Sequence, residues 1–241
     1  MLLKKIAKKI VRHLPVRVTY RFQALMAGGR LALGKGSYVH SSVHILGKSN
    51  VQIGSNSCIS EGCWLNVNHR ASGEPAIKIG SNCFIGKYNF FSSGLRISIG
   101  DYGLTTIGCK FIGASHVIDD PLKPYVSTGT TKIDVIEIGV NSFFGANAMV
   151  LGNVKIGHGS VIGAGAQVMH DIPPFSVAIG RPAKVIKRFS FLKNLWVPIG
   201  ELSKEDINAM PNESQYLKKL SAEFSNVPMP FIAAGRNMGN L

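Results

Sequence analysis

Large apolar residues recur every six positions between Ile138 and Pro173: Ile138, Phe144, Val150, Ile156, Ile162 and Val168. Four residues after each come Ser142, Ala148, Val154, Ser160, Ala166 and Ile172, most of them small. Glycine often follows the large residue, as at Gly139, Gly145, Gly157 and Gly163. A period of six suits neither an amphipathic helix nor an alternating strand. It suits a solenoid of short flat faces, with one large residue per face pointing inward and a small one at each corner. The pattern begins imperfectly near Tyr38. Ile53, Ile59 and Leu65 make one run, and Ile79, Ile85, Phe91 and Ile97 another. Ile99 then opens a shifted run with the weaker members Thr105 and Phe111. Two stretches, near 66–75 and 113–134, break the repeat and read as loops ejected from the coil, where function tends to concentrate.

The flanks follow other rules. Residues 1–37 form a basic N-terminal segment that opens with an amphipathic helix. Leu2, Leu3, Ile6, Ile10 and Leu14 line one face and Lys4, Lys5, Lys8, Lys9 and Arg12 the other, and Pro15 stops it. Its lysines interrupt any signal-peptide core, and no apolar run has the length to span a bilayer. Two placements stay open: on an anionic membrane surface, or as a cap on the solenoid. The repeat domain is expected over 38–188, followed by a helical extension over 189–241. There, Ser203 with Asp206 and Asn212 with Gln215 have the spacing of capping boxes. Tyr216, Leu217, Leu220 and Phe224 give the second of those helices an apolar stripe.

Charge narrows the partners. The formal net charge is +14, and no acidic residue precedes Glu61. A second basic group is Arg181, Lys184, Lys187 and Arg188. Stacking aromatics do not interleave with these clusters, so nucleic acid is not the expected partner. Anionic lipid at one end and a phosphorylated cofactor at the other account better for the charge. Cys58, Cys63, Cys83 and Cys109 form no C-x-x-C pair and no zinc spacing, and Cys63 and Cys83 fall on corner positions. They read as buried, reduced thiols of a cytoplasmic protein. His40 and His44 lie four apart with no third ligand, so no metal is expected.

Three local features carry a family resemblance over roughly residues 50–188. Lys87-Tyr88-Asn89 precedes Ile99-Gly100-Asp101; His116 follows Ile99 by seventeen residues; and the repeat closes on Ile179-Gly180-Arg181-Pro182-Ala183-Lys184-Val185-Ile186-Lys187. In these the chain resembles the hexapeptide-repeat acyltransferases, and within them the maltose and galactoside O-acetyltransferases. The resemblance implies an all-β solenoid, a left-handed parallel β-helix of hexapeptide repeats, to which the chain's own pattern adds short flanking helices at both termini. It implies direct acetyl transfer from acetyl-coenzyme A (acetyl-CoA) to a sugar hydroxyl, within a homotrimer whose neighbours share sites. Bacterial surface polysaccharide synthesis at the inner membrane face fits the basic first helix.

His116 is then the general base, since an imidazole titrating near neutrality suits removal of a hydroxyl proton. Asp119 or Asp120 is a candidate to orient it. Asn89 matches the family's active-site Asn and could orient the acceptor or donate to the developing oxyanion. The resemblance puts Ala146, Ala164 and Gly165 along the cofactor edge, with Arg181, Lys184 and Lys187 near its phosphates. The family's N-terminal helical segment, with its substrate-contacting acid, has no counterpart here, which leaves the acceptor open. N-acetylation of an amino sugar remains an alternative, as do a non-catalytic solenoid and a γ-carbonic-anhydrase-like protein. Outward positions Phe143 and Met149 are candidates for the face that buries against a neighbouring copy.

Overall fold

The computed structural model describes residues 30–69, 74–225 and 227. The basic helix expected over residues 1–14 lies outside them. Among the described residues the chain winds through three sheets of six, nine and six strands. The first sheet holds Ala32–Leu33, Val51–Ile53, Ile77–Ile79, Arg96–Ile99, Val135–Ile138 and Val154–Ile156. The second begins with Tyr38–Val39, Cys58–Ile59, Phe84–Ile85, Leu104–Thr105, Phe143–Phe144, Val161–Ile162 and Ser176–Ile179. The third holds His44–Leu46, Trp64–Val67, Phe90–Ser93, Lys110–Ile112, Met149–Leu151 and Gln167–Val168. Each strand pairs in parallel with its counterpart one coil away, as Phe111 does with Phe91 and Val150. Three sides per turn, repeated in this order, make the left-handed β-helix that the family resemblance implies.

The inward set is the core. Ile138, Phe144, Val150, Ile156, Ile162 and Val168 are all buried, as are Ile59, Ile85 and Phe111 in earlier coils. Phe91 stacks on Phe111 with centroids 4.7 Å apart, and Phe144 meets Phe111 edge-on at 5.2 Å. Ser142, Ala148, Ser160 and Ala166 take the corners. Val154 and Ile172 do not: they lie on the first-sheet side, where a three-residue strand such as Val154–Ile156 turns two side chains inward. The glycines that follow Phe144 and Ile156 have a steric cause. A Cβ on Gly145 would sit 2.5 Å from Ala164 N, and one on Gly157 2.3 Å from Pro174 N, because the next coil's backbone passes there.

Two boundaries differ from the sequence reading. The coil starts before residue 38, because Ala32–Leu33 already pairs with Gln52 and Ile53. Among the described residues this coil has a neighbour on one side only, and its apolar pattern is weak; Leu33 is 45 % exposed. At the other end, residue 189 does not open a helical extension. Lys184–Ser190 and Leu195–Pro198 first extend the second sheet as an antiparallel hairpin. Asn194 takes a left-handed backbone at the turn of this hairpin. Helix α1, Lys204–Asn208, and helix α2, Glu213–Glu223, follow, and both carry the expected capping boxes.

The α2 segment packs along the corner between the first and second sheets. Glu213 Oε1 accepts from Val140 N, the Tyr102 hydroxyl donates to the Phe224 carbonyl at 3.1 Å, and Asn56 Nδ2 donates to the Val227 carbonyl at 3.2 Å. Asn56, Asn82 and Asn141 turn this corner with positive φ, a conformation asparagine tolerates better than most residues.

Candidate active site

The second ejected loop leaves the third sheet after Ile112 and returns to the first at Val135. Its root is a short antiparallel ladder. Thr131 N–H donates to the Ser115 carbonyl at 2.7 Å, and Val117 N–H to the Gly129 carbonyl at 2.8 Å. Between these bonds His116 stands opposite Thr130, in the type of pair that brings facing side chains closest. His116 is exposed, and its Nδ1 lies 3.4 Å from Thr128 Oγ1. The Thr128 hydroxyl spends its own proton on the Tyr125 carbonyl at 2.9 Å. Its lone pair therefore faces Nδ1, which favours the tautomer with a bare Nε2. Asp119 and Asp120 are the local candidates for this orienting role. Asp120 instead makes a turn, accepting from Leu122 N at 3.0 Å and pairing with Lys123 at 3.3 Å. Local spacing does not point to Thr128, which belongs to the returning limb, twelve residues on.

Asn89 turns the corner between the second and third sheets and is 1 % exposed. Its amide nitrogen donates within this corner, to the carbonyls of Gly86 at 2.9 Å, Lys87 at 3.2 Å and Thr106 at 2.7 Å. This corrects the expectation of an oxyanion donor: both amide protons are committed to backbone carbonyls. What remains is Oδ1, buried and without a hydrogen-bond partner among the described residues. Next to it, Lys87 is tied to Glu61 at 2.8 Å, which holds the Glu61 carboxyl below its usual range.

Ala146, Ala164 and Gly165 lie on the same corner, two and three coils further along. Gly165 N donates to the Ala146 carbonyl at 2.7 Å. Arg181 Nε donates to the Gly165 carbonyl at 2.6 Å, and its guanidinium lies 3.1 Å from where a Gly165 Cβ would stand. Arg181, Lys184 and Lys187 are all exposed at the end of this edge. Small side chains along a corner, ended by three exposed cations, are a chemically suitable bed for an extended molecule with phosphates at one end.

Loop and edge do not meet on one corner. The His116 loop springs from the corner between the third and first sheets, while the edge with Asn89, Ala146 and Gly165 joins the second and third. The third sheet separates them. Phe143 and Met149 also fail to share a face: Phe143 pairs in the second sheet and Met149 in the third. Six residues carry the chain round one side of the triangle, so successive hexads sit on adjacent sides. Nor do His40 and His44 converge. His40 Nδ1 contacts Ser42 Oγ at 2.8 Å, and the His44 ring meets Trp64 edge-on at 5.4 Å. Among the described residues no group of three His, Cys, Asp or Glu side chains could hold a metal ion, and no helix is long and apolar enough to cross a membrane.

The profile of the bacterial transferase hexapeptide family (six repeats) matches residues 136–170. Those residues carry the hexapeptide repeat of that family. A Staphylococcus aureus (strain Mu50) protein bearing an acetyltransferase name is 42 % identical over 113 residues, 46 % of this chain and 55 % of that protein. A Mycobacterium tuberculosis (strain H37Rv) protein, also bearing an acetyltransferase name, is 30 % identical over 166 residues, 68 % of this chain and 51 % of that protein. The chain thus spans about half the length of these curated relatives. Among solved structures, a variant of AntD, an N-acyltransferase from Bacillus cereus in complex with dTDP and coenzyme A, matches with a TM-score of 0.57. It is 20 % identical and covers 82 % of this chain and 96 % of its own, a likeness of fold.

Proposed function

We propose that this hexapeptide-repeat protein transfers an acetyl group from acetyl-CoA to a sugar hydroxyl, with His116 as general base. The observation that carries the reading is the His116 imidazole on its paired loop, with Nδ1 directed at Thr128 and Nε2 left for the proton of an incoming hydroxyl. Direct transfer asks the chain for a base, a bed for the donor and a place for the acceptor. No nucleophile is required, and the four cysteines are buried. The corner bearing Ala146, Ala164 and Gly165 would lie under the pantetheine arm, and Arg181, Lys184 and Lys187 would meet the phosphates. Asn89 then serves by shaping the corner beneath the site. When bound, the coenzyme supplies an activated thioester.

A sugar of a bacterial surface polysaccharide, or its lipid-linked precursor, is the acceptor we favour. The alternative is an amino sugar. The fold likeness to an N-acyltransferase crystallised with dTDP supports it, and an amine must also shed a proton. Coenzyme A release measured against hexoses, amino sugars and polysaccharide fragments separates the two. Release with hydroxyl acceptors is expected; release with amino sugars alone would move the reading to N-acetylation.

Assembly as a homotrimer is part of the proposal. One chain holds the His116 loop and the cofactor edge on opposite margins of the third sheet, so copies around a threefold axis would complete each other's sites. His116→Ala subunits mixed with Lys184→Ala/Lys187→Ala subunits should regain activity. If mixing restores nothing, each site lies within one chain.

A further inference from the structure

The first ejected loop has no role in the reading above, yet it holds the second. His69 stands just beyond the strand Trp64–Val67, on a root pinned to the neighbouring coil. Asn68 Nδ2 donates to Ser92 Oγ at 2.9 Å and to the Ser93 carbonyl at 2.8 Å, and Asn66 Nδ2 donates to Asn68 Oδ1 at 2.7 Å. From this root the half-buried imidazole crosses to residues more than sixty positions away. Its Nε2 lies 2.9 Å from the Thr131 carbonyl oxygen and 2.9 Å from Thr130 Oγ1. A carbonyl oxygen can only accept, so Nε2 carries the proton and shares it with both oxygens. Thr130 is the residue that faces His116, and Thr131 makes the backbone bond to Ser115 that frames it.

We propose that His69 is a positioning residue: its Nε2–H clamps the returning limb of the loop and so fixes where His116 stands. The role in turnover rests on His116 being the base; the clamp on the loop does not. His69 takes no proton from the substrate. It works through geometry, in the range where a misplacement of about 1 Å costs up to roughly 10²-fold in rate. The sequence holds no sign of this, because a histidine in a polar loop looks like any surface histidine until the coils stack.

The test uses the full-length protein and two substitutions. His69→Ala removes the donor; His69→Gln offers an amide N–H near the same place. For His69→Ala, kcat should fall about ten- to a hundredfold while KM for acetyl-CoA changes less than about twofold. Amide exchange at Val117 and Thr131, whose N–H groups close the ladder, should accelerate. His69→Gln should recover most of both effects. Unchanged exchange at Val117 and Thr131 in His69→Ala would overturn the clamp. A fall in kcat that the Gln variant does not recover, with exchange restored, would overturn positioning as the cause. Should His116→Ala keep normal turnover, the base assignment fails by itself, while faster exchange in His69→Ala would still uphold the clamp.

Discussion

Glu213 Oε1 accepts a hydrogen bond from the backbone N–H of Val140 at 2.8 Å. The first residue of helix α2 thereby satisfies a coil N–H at a buried position seventy-three residues earlier. Leaving such a donor unpaired costs about 1–3 kcal/mol. Glu213→Ala should therefore lower stability by that order, and Glu213→Gln, which keeps an acceptor, by less. Denaturant midpoints together with amide exchange at Val140 check this; equal midpoints for both variants would mean that water replaces the carboxylate freely.

His116→Ala should reduce turnover by about 10²–10⁴-fold, the usual scale for a lost general base, while acetyl-CoA binding stays near normal. Calorimetry of acetyl-CoA binding beside steady-state rates distinguishes loss of chemistry from loss of the site. Turnover close to the parent's would remove His116 from the mechanism.

Lys184→Ala combined with Lys187→Ala should weaken coenzyme A binding, and added salt should weaken the parent protein's binding in the same direction. Both lysines are exposed, so each contact is screened and the effect of either alone should be small. The informative comparison is dephospho-coenzyme A. If the double variant loses affinity for both ligands equally, the 3′-phosphate sits elsewhere.

Stability should fall in strongly alkaline solution because of two corner thiols. Burial pushes Cys63 up to about 11 and Cys83 up to about 12, from an ordinary value of 9.0. Folding therefore keeps protons that the unfolded chain loses. The contribution is fully present below about pH 9 and is lost as pH rises toward 11 and 12. The slope should approach about 1.4 kcal/mol per pH unit for each thiol in that window. Cys83→Ala should flatten the dependence in chemical denaturation measured from pH 8 to 11; an unchanged slope would assign the alkaline loss to other groups.

Gly54→Ala and Gly152→Ala should fail for different reasons. A Cβ on Gly54 would come within 2.5 Å of the Gly80 carbonyl carbon, so two coils must separate, at a cost of about 1–3 kcal/mol. Gly152 has open space around its missing Cβ but a φ of +79°, and its substitution should cost only backbone strain of about 1 kcal/mol. Asparagine should be tolerated at 152 and not at 54, which midpoints for the four variants would decide.

The sequence by itself determined the solenoid. Its inward residues, glycines, two loops and the corners other than Val154 and Ile172 follow from spacing along the chain, because each side of the coil repeats the same steric problem six residues on. The capping boxes of α1 and α2 were legible for the same reason: cap and partner lie three residues apart. Tertiary structure alone decided who meets whom across coils. That Thr128 meets His116 follows from how their loop folds back on itself; that His69 holds Thr130 and Thr131, and that the Asn89 amide reaches Thr106 on the next coil, are consequences of stacking. So is the separation of Phe143 from Met149, which only the triangular section reveals. Periodicity reports which way a residue points relative to its own coil. A hydrogen bond to a loop sixty residues away depends on where that loop lands, and nothing local encodes it.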